Sequence, residues 1–480
     1  MKRPLGVFWA FVLIAVALFA YPGCAGPQPA KVIALTYADF FPLTNWNSTL
    51  AQLWCEEIKK QTSGRVEISY YPGGKLATSD KIAEAVADGA ADIGMSCTAY
   101  TLGRFPATEL IDMPHGYPSG WIATKVAWDF LKKFKLAEWE KYHLLYFHAH
   151  GPQVIFTTNK PVRKVGDLQG LVVRSTGIGA KIIEALGGRG YAAGQGVAYE
   201  LMSDGTIDGS FTPGEPLKGW KQIEVVHYVT ATYGIGSTAG FFVAMNRARW
   251  DALPKDVQDK FTSISQEWVD KHAMSWAAYD KAAFDLFKST AGKEFIELNG
   301  DEMADFVAAA RPALDAYMAE RANQGLPVVE YEKYLNERVS YWAKKTPSEK
   351  ACLDWVERNI VPFGPAPLSV TFDGWYANGV KVTAAARNTK VIPRLTMSGG
   401  IAGQYQLRIR RDISSGKDAT VNEIPFDYNG ISIIKELSFS PPYATNELST
   451  NGYHVDILKD GNTLFTLINA YPPRLRVGPQ

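Results

Sequence analysis

The sequence predicts an α/β fold, then a helical segment, then a C-terminal all-β domain. Three changes of pattern along the 480 residues support this order. Short apolar strands alternate with helices in residues 31–246, helical periodicity dominates from 255 to about 360, and a period of two prevails from 368 onward. The length is ample for two or three domains with their own cores.

The first 26 residues predict an export signal. A basic start, Met1-Lys2-Arg3, precedes an apolar run over residues 6–21 and small residues around Cys24. Cys24 is placed like the acceptor cysteine of a bacterial lipoprotein, and the alternative is ordinary signal-peptidase cleavage nearby. Either route exports the chain, so we expect a periplasmic protein, anchored by lipid where Cys24 is modified.

The elements of the α/β part follow from the spacing of apolar residues. Residues 32–36 predict a strand, 37–44 a loop, and Leu50, Leu53, Trp54 and Ile58 one face of a helix. The βαβαβ start predicts a mostly parallel sheet covered by helices. Further predicted strands are residues 65–71, 91–95, 144–147, 154–158, 170–174 and 240–246.

The last third of the chain changes character twice. Trp268, His272, Trp276 and Tyr279 recur at helical spacing, and prolines divide that segment. Residues 361–367 (VPFGPAP) predict a stiff linker. Beyond it, Tyr405, Leu407 and Ile409 alternate with polar residues and turn signals recur, so residues 368–480 predict a sandwich of immunoglobulin-like type.

The net charge and the cysteine content argue against several classes of protein. The formal net charge is +1, so the overall field attracts neither nucleic acid nor an anionic membrane. Four cysteines are a thin basis for a disulfide framework in an exported chain of this size, so Cys55, Cys97 and Cys352 are predicted to be buried free thiols.

Signatures of catalysis and cofactor binding are incomplete. Ile182 stands where the dinucleotide fingerprint that begins at Gly177 needs its third glycine, and neither a Walker A sequence nor a GxSxG elbow occurs. His148 and His150 share a strand face, but the segment HAHGPQ offers no further metal ligands, which favours a polar pocket lining. Asp208 is a weak candidate acid, because an Asp-Gly turn explains it equally well. No enzyme, cofactor or metal is predicted.

Arg174 is the most informative single residue. It ends the apolar strand of residues 170–174, directly before a helix. One interpretation is an ion pair with a neighbouring carboxylate. The other is a binding site for an organic anion, because ligands of open α/β sheets sit beyond the carboxyl ends of strands and a helix N-terminus adds donors.

Several short motifs together resemble the DctP-type solute-binding subunits of tripartite ATP-independent periplasmic (TRAP) transporters. The resemblance runs from about residue 31 to the 330s. In order, the motifs are GRV at 64–66, YPGGKL at 71–76, EAVADGAADIG at 84–94, YTLGRFP at 100–106, TTNKPV at 157–162, DLQGLVVR at 167–174, GTIDG at 205–209, TP at 212–213 and FVAMN at 242–246.

The resemblance implies two α/β lobes that close over a ligand in the cleft between them. It places the family's carboxylate-clamping arginine at Arg174, with Thr212 beside it. It also implies that the cleft is faced by Tyr37, Phe40, Phe41, Tyr100, His150, Phe211, Pro213 and Glu215. Residues 152–156 lack the further arginine of the sugar-acid branch, which argues against sialic acid. Gly214 replaces a frequent aromatic, which predicts a looser wall.

The main hypothesis is therefore an extracytoplasmic receptor that captures a small organic acid, which can carry an apolar or aromatic body, and delivers it to TRAP membrane subunits. The alternative is a ligand-gated sensor or envelope interaction protein that uses the same cleft and the C-terminal β domain. Ligand identity, a bridging metal, the anchoring membrane and the oligomeric state stay open at this point.

Overall fold

A computed structural model describes residues 32–360 and a set of strand segments in the C-terminal part. Those segments are 369–378, 380–382, 384–386, 392–398, 403–411, 419–428, 433–436, 452–459, 462–466 and 475–478. The predicted export signal with Cys24 and the predicted linker at 361–367 lie outside the described residues.

Strands and helices alternate in residues 33–251, as the sequence predicts. The strands are β1 Ile33–Asp39, β2 Val66–Tyr71, β3 Ile93–Cys97, β4 Tyr142–Ala149, β5 Val154–Thr157, β6 Val172–Ser175, β7 Arg189–Ala192, β8 Gly209–Thr212, β9 Tyr228–Thr230 and β10 Gly240–Asn246. The helices are α1 Trp46–Gln61, α2 Ile82–Ala87, α3 Gly120–Lys133, α4 Gly177–Ala185, α5 Ala198–Ser203, α6 Pro216–Gly219 and α7 Arg247–Asp251.

Two sheets form the two lobes, and both are mixed. The first has the order β2-β1-β3-β10-β4, with β1 parallel to β2 and β3, and β10 antiparallel to β3 and β4. In the second lobe β6 is parallel to β7 and β8, but β5 is antiparallel to β8 and β9. The prediction of a mostly parallel sheet is therefore confirmed, with one reversed strand in each sheet, β10 in the first and β5 in the second.

The helical segment holds the lobes together. It comprises α8 Lys255–Ser289, the short strand β11 Glu294–Ile296, and helices α9 Gly300–Asn323, α10 Val328–Ala343 and α11 Glu349–Asn359. Helix α8 is 35 residues long, about 50 Å at 1.5 Å per residue. Its Phe261 and Trp268 are buried in the core of the first lobe, and Phe284 and Phe287 in that of the second.

Two predicted boundaries shift by a residue or more. β1 continues to Asp39, because Tyr37 and Ala38 pair with β2 on one side and β3 on the other. β6 continues to Ser175, so Arg174 is the penultimate residue of its strand and pairs with Tyr191 and Ser210. A side chain in a paired strand points to one of the two faces of the sheet. Because β1 extends past Tyr37, the side chain of Tyr37 lies on a face of the sheet.

The described C-terminal strands form two further sheets. They are β12 Ser369–Ala377, β13 Val380–Val382, β14 Ala384–Ala386, β15 Ile392–Ser398, β16 Gly403–Arg411, β17 Ala419–Tyr428, β18 Ile433–Glu436, β19 Gly452–Lys459, β20 Asn462–Thr466 and β21 Leu475–Gly478. One sheet has the order β13-β12-β15-β18, and the other β14-β21-β19-β16-β17 with β20 on β19. Tyr405 and Leu407 are buried while Gln406 is exposed, so the period of two is confirmed, and the immunoglobulin-like type stays a prediction.

Cys55, Cys97 and Cys352 are buried free thiols, as predicted. In the part of the chain that the structure describes, no helix combines the length and apolar character needed to cross a bilayer.

Candidate ligand-binding site

A cavity lies between the two lobes. It is bounded by the segments after β1 and β3 in the first lobe, the ends of β6 and β8 in the second, and α8. Its volume is about 30 Å³, about two to three times what a single water molecule requires. Seven of the seventeen lining residues are aromatic, and they are Phe40, Phe41, Tyr100, Phe211, Trp220, Phe241 and Trp276.

Arg174 presents a buried cation to this cavity. The residue is 1% exposed. Its Nε and Nη2 donate to the Ala193 carbonyl oxygen at 3.1 and 2.7 Å, and its Nη1 donates to Gln195 Oε1 at 2.8 Å. Burial lowers its pKa, opposed by the nearby Tyr100 and Cys97, but a guanidinium stays charged in proteins. The charge is therefore desolvated and held rigidly by neutral acceptors.

None of the carboxylates in the described residues forms an ion pair with Arg174. A guanidinium has five N–H groups, and three are engaged by Ala193 and Gln195. Because a buried charge without an opposite partner is costly, the site has a strong preference for an anion.

Two more donors face the same space, and the sequence did not single them out. The Gln195 Nε2 amide and the Thr176 hydroxyl are buried, line the cavity, and have no hydrogen-bond partner among the described residues. Gln195 is oriented by the bond that its Oε1 accepts from Arg174. Thr176 is the N-cap of α4, yet its side chain makes no capping bond. The feature of the sequence that could have indicated Thr176 as a site residue is its position directly after Arg174 and Ser175.

His150 lines the cavity as an uncharged ring. Burial lowers its pKa to about 4, and Arg174 adds to the effect. Its Nδ1 lies 2.6 Å from the Gly151 carbonyl oxygen, which places the proton on Nδ1 and leaves Nε2 as an acceptor. Among the described residues no group of three or more histidine, cysteine, aspartate and glutamate side chains could hold a metal ion.

His148 lies behind the wall. Its Nδ1 accepts a hydrogen bond of 2.9 Å from Trp276 Nε1, and its ring stacks on His272 at a centroid distance of 3.9 Å. Burial lowers the pKa of His148 well below its usual value, so it is a neutral acceptor. His148 therefore fixes the ring of Trp276, which lines the cavity.

Glu215 brings a carboxyl group to the wall. It is 2% exposed, and Oε1 accepts a hydrogen bond of 2.8 Å from Asn45 Nδ2 of the first lobe. Its backbone N–H donates to Asp280 Oδ1 of α8 at 2.8 Å. Burial, together with the smaller effect of the neighbouring Asp280, raises the pKa of Glu215 to about 8.

The other predicted site residues divide into two groups. Phe40, Phe41, Tyr100, Phe211, Thr212 and Pro213 line the cavity. Tyr37 does not, because β1 continues past it and its ring is buried in the core against Trp54 and Tyr70. Asp208 lies away from the cavity, where its Oδ2 accepts from the Val172 backbone N–H at 2.8 Å.

Gly214 does not loosen the wall, contrary to the prediction. A Cβ at this position would lie 2.6 Å from Cζ of Phe284. The ring of Phe284, from α8, therefore occupies the space that a side chain at 214 would need, which explains the glycine.

Comparison with known proteins agrees with this arrangement. Residues 41–321 match the family model of bacterial extracellular solute-binding protein family 7, DctP. The C4-dicarboxylate-binding periplasmic protein DctP of Rhodobacter capsulatus is 26% identical over 331 residues, which cover 67% of this chain and 95% of that protein. A monocarboxylate 2-oxoacid-binding periplasmic protein of Nostoc sp. is 24% identical over 270 residues, which cover 53% of this chain and 72% of that protein.

A solved structure shares the two-lobed fold. The TRAP periplasmic solute-binding protein of Bordetella bronchiseptica, with bound (R)- and (S)-mandelate, is 26% identical with a TM-score of 0.60, covering 64% of this chain and 99% of that one. The resemblance read from the motifs is confirmed, since the family model spans more than half of the sequence. The chain belongs to the DctP family, family 7 of the bacterial extracellular solute-binding proteins.

Proposed function

We propose that this protein is an extracytoplasmic receptor that binds a small organic acid between its lobes and delivers it to TRAP-type membrane subunits. One observation carries the proposal: Arg174 is a buried cation with neutral partners only, and two unpartnered donors, Gln195 Nε2 and Thr176 Oγ1, line the same cavity. A carboxylate supplies the missing charge and accepts from all three.

The aromatic wall supports an apolar or aromatic ligand body. Phe41, Phe241 and Trp276 present apolar faces, and burial of such a body contributes about 25 cal/mol per Å². The mandelate bound by the Bordetella relative has this combination of carboxylate and ring. Because both lobes contribute residues to the cavity wall, the mechanism is capture with lobe closure, and the ligand leaves chemically unchanged.

The division of the chain is part of the proposal. Residues 31–360 form the solute-binding domain, 361–367 a linker, and 368–480 a separate β domain, after an export signal over residues 1–26 with lipid attached at Cys24. Support comes from the change to period-two strands after residue 368 and from the family match, which ends at residue 321.

The test is ligand binding by the processed protein and by Arg174→Ala. A thermal-shift screen of carboxylic acids identifies ligands, because binding to the native state alone raises stability by about 2.7 kcal/mol at a hundredfold excess over Kd. Calorimetry then gives affinities. We expect Arg174→Ala to lose about 2–5 kcal/mol, because the ligand carboxylate is left buried without its cation.

Arg189→Ala is the matched control, since Arg189 is an exposed arginine of the same lobe. It removes the same charge and is expected to bind as the parent does. Normal binding by Arg174→Ala would refute the proposal.

A further inference from the structure

Glu215 is a buried acid in the cavity wall and has no cationic partner in the described residues. Its Oε1 accepts a hydrogen bond of 2.8 Å from Asn45 Nδ2 and packs against Gly219, where a Cβ would collide with it. The carboxyl group is thereby fixed in place. The sequence places it directly after the Thr212-Pro213-Gly214 turn, so it lies at the same strand end as other cavity residues.

Of these two neighbouring carboxyl groups, Glu215 keeps its proton to a higher pH than Asp280 does. The backbone N–H groups of Glu215, Gly151 and Gly214 all lower the pKa of Asp280, and that of Glu215 donates to it at 2.8 Å. For Glu215 the corresponding donors are two, the Asn45 amide at 2.8 Å and the Trp46 indole. Burial raises the pKa of Asp280 to about 7 and that of Glu215 to about 8, in the same order as the donor counts.

The groups that face Glu215 do not neutralise a negative charge. From α8 they are Asp280 and Tyr279, from the start of α1 the uncharged Asn45 and Trp46, and on its own helix the exposed Lys218. His150, which shares the cavity, is neutral because burial lowers its pKa to about 4. Glu215 does not contribute to the pKa shift of Arg174, nor Arg174 to that of Glu215.

The cavity therefore has two different ends. At one, Arg174, Gln195 and Thr176 offer a charge and donors to a single carboxylate. At the other, Glu215 backed by Asp280 accommodates a neutral group, because a second carboxylate there would meet two acids and no cation. A neutral hydroxyl or carbonyl oxygen can instead accept the Glu215 proton.

We propose that Glu215 makes this receptor selective for monocarboxylates that carry a neutral oxygen at the far end, and that it excludes dicarboxylates. The inference rests on the proposed function, since it assumes that a first carboxylate binds at Arg174. The DctP relative of Rhodobacter capsulatus is named for C4-dicarboxylates, so the inference separates this chain from that relative.

The experiment measures affinities of matched acids at pH 7 by calorimetry. One pair is 3-hydroxybenzoate and isophthalate, and the other is 4-hydroxybutanoate and succinate. In each pair a neutral, oxygen-bearing group remote from the first carboxylate is replaced by a second carboxylate. We expect the monocarboxylate to bind at least about 30-fold more tightly in whichever pair binds, because a buried, unpaired second charge is strongly disfavoured.

The pH dependence of the ligand affinity is a second test of the proposal, and it needs no variant. Ionisation of Glu215 removes a donor and puts a negative charge in the cavity that holds the ligand carboxylate, so affinity falls as pH rises through the pKa near 8. Between pH 7 and pH 9 the fall for the monocarboxylate reaches up to about tenfold, the limit when only the protonated receptor binds.

Glu215→Gln keeps an acceptor for Asn45 and a donor toward the cavity but cannot ionise. In this variant we expect the pH dependence between 7 and 9 to disappear, and the preference for monocarboxylate over dicarboxylate to narrow by about tenfold. Glu200→Gln, an exposed glutamate of the same lobe, is the control and retains both properties. Circular dichroism at each pH verifies that the variants are folded.

The outcomes separate the two proposals. If no carboxylic acid of any kind binds the parent protein, the proposed function itself fails. If a monocarboxylate and its dicarboxylate partner bind equally, or if Glu215→Gln retains the pH dependence, the receptor function stands and the role assigned to Glu215 is wrong.

Discussion

The position of the Arg174 side chain depends on the groups that accept its hydrogen bonds, and Gln195 is one of them. The side chain of Gln195 accepts from Nη1 with its oxygen and leaves its amide nitrogen unpartnered at the cavity. Gln195 therefore positions the guanidinium and supplies a donor of its own to the ligand carboxylate. An acid at this position would have a nearly identical shape but would compete with the ligand for Arg174.

We expect Gln195→Glu to weaken binding of the acid found in the screen by more than Gln195→Ala does. The loss for Gln195→Ala is about 0.5–1.5 kcal/mol, the usual net value of a hydrogen bond, whereas the glutamate adds an internal ion pair that a ligand must displace. Calorimetry on both variants measures this order, with the exposed Gln169→Glu as the charge control. Equal losses in the two variants would contradict the competition.

Glu215 also makes a prediction about stability without ligand. Its folded pKa, about 8, lies above its value in an unfolded chain, near 4.5. The folded form therefore holds the proton more tightly, and the associated stability is fully present below pH 4.5 and lost as pH rises through 8. We expect the Tm of Glu215→Gln relative to the parent to increase from pH 6 to pH 9 in calorimetric scans. A constant difference would mean that Glu215 is ionised throughout.

At the scale of elements, the packing of β7 on α4 decides the geometry around Arg174. Ala193, whose carbonyl oxygen accepts from Arg174, follows directly after β7, and β7 pairs with β6 through Gly190 opposite Val173. A Cβ at Gly190 would collide with the Ala180 carbonyl oxygen of α4. The glycine thus permits strand and helix to approach closely enough to place Ala193 and Gln195.

We expect Gly190→Ala to cost about 1–3 kcal/mol of stability from overpacking and to weaken ligand binding, since β7 must shift away from α4. The Tm should fall by roughly 2–10 °C. Gly166→Ala is the control, because no atom lies within 4 Å of a Cβ built there. Thermal unfolding measures the stability of both variants, and calorimetry measures their ligand affinity. Unchanged affinity in Gly190→Ala would show that β7 does not position the site.

At the scale of the whole molecule, the two lobes are joined by the connections from β4 to β5 and from β9 to β10 and by the long helix α8, whose aromatic side chains enter both cores. The cavity receives residues from each lobe and from α8, so its wall depends on how the lobes pack together. All of these elements fall within residues 32–360.

A protein consisting of residues 27–360 should therefore bind the same acid with a Kd within about twofold of that of the processed full-length protein, as expected for a domain that folds independently. Full-length protein should then unfold in two thermal transitions, the shorter protein in one. Loss of binding by the shorter protein, in the presence of a native circular dichroism spectrum, would assign the C-terminal strands a part in the site.

Much of the fold was accessible from periodicity. Strand and helix alternation, the helical segment and the period-two strands all depend on local spacing of apolar residues, and they recur in the structure. The mixed character of the sheets was not accessible, because strand direction in a sheet depends on partners distant in sequence, such as β10 between β3 and β4. Tyr37 was misplaced for the same reason, since pairing on both sides extends β1.

The sequence by itself determined the family, the order of the elements and the importance of Arg174, since each is written in short contiguous motifs. Only the tertiary structure decided what surrounds that charge. Gln195, Thr176, Glu215 and Asp280 come from separate segments, and their roles depend on burial and on which donors each one meets. Burial is a property of the assembled lobes, and the roles proposed for Arg174 and Glu215 both depend on it.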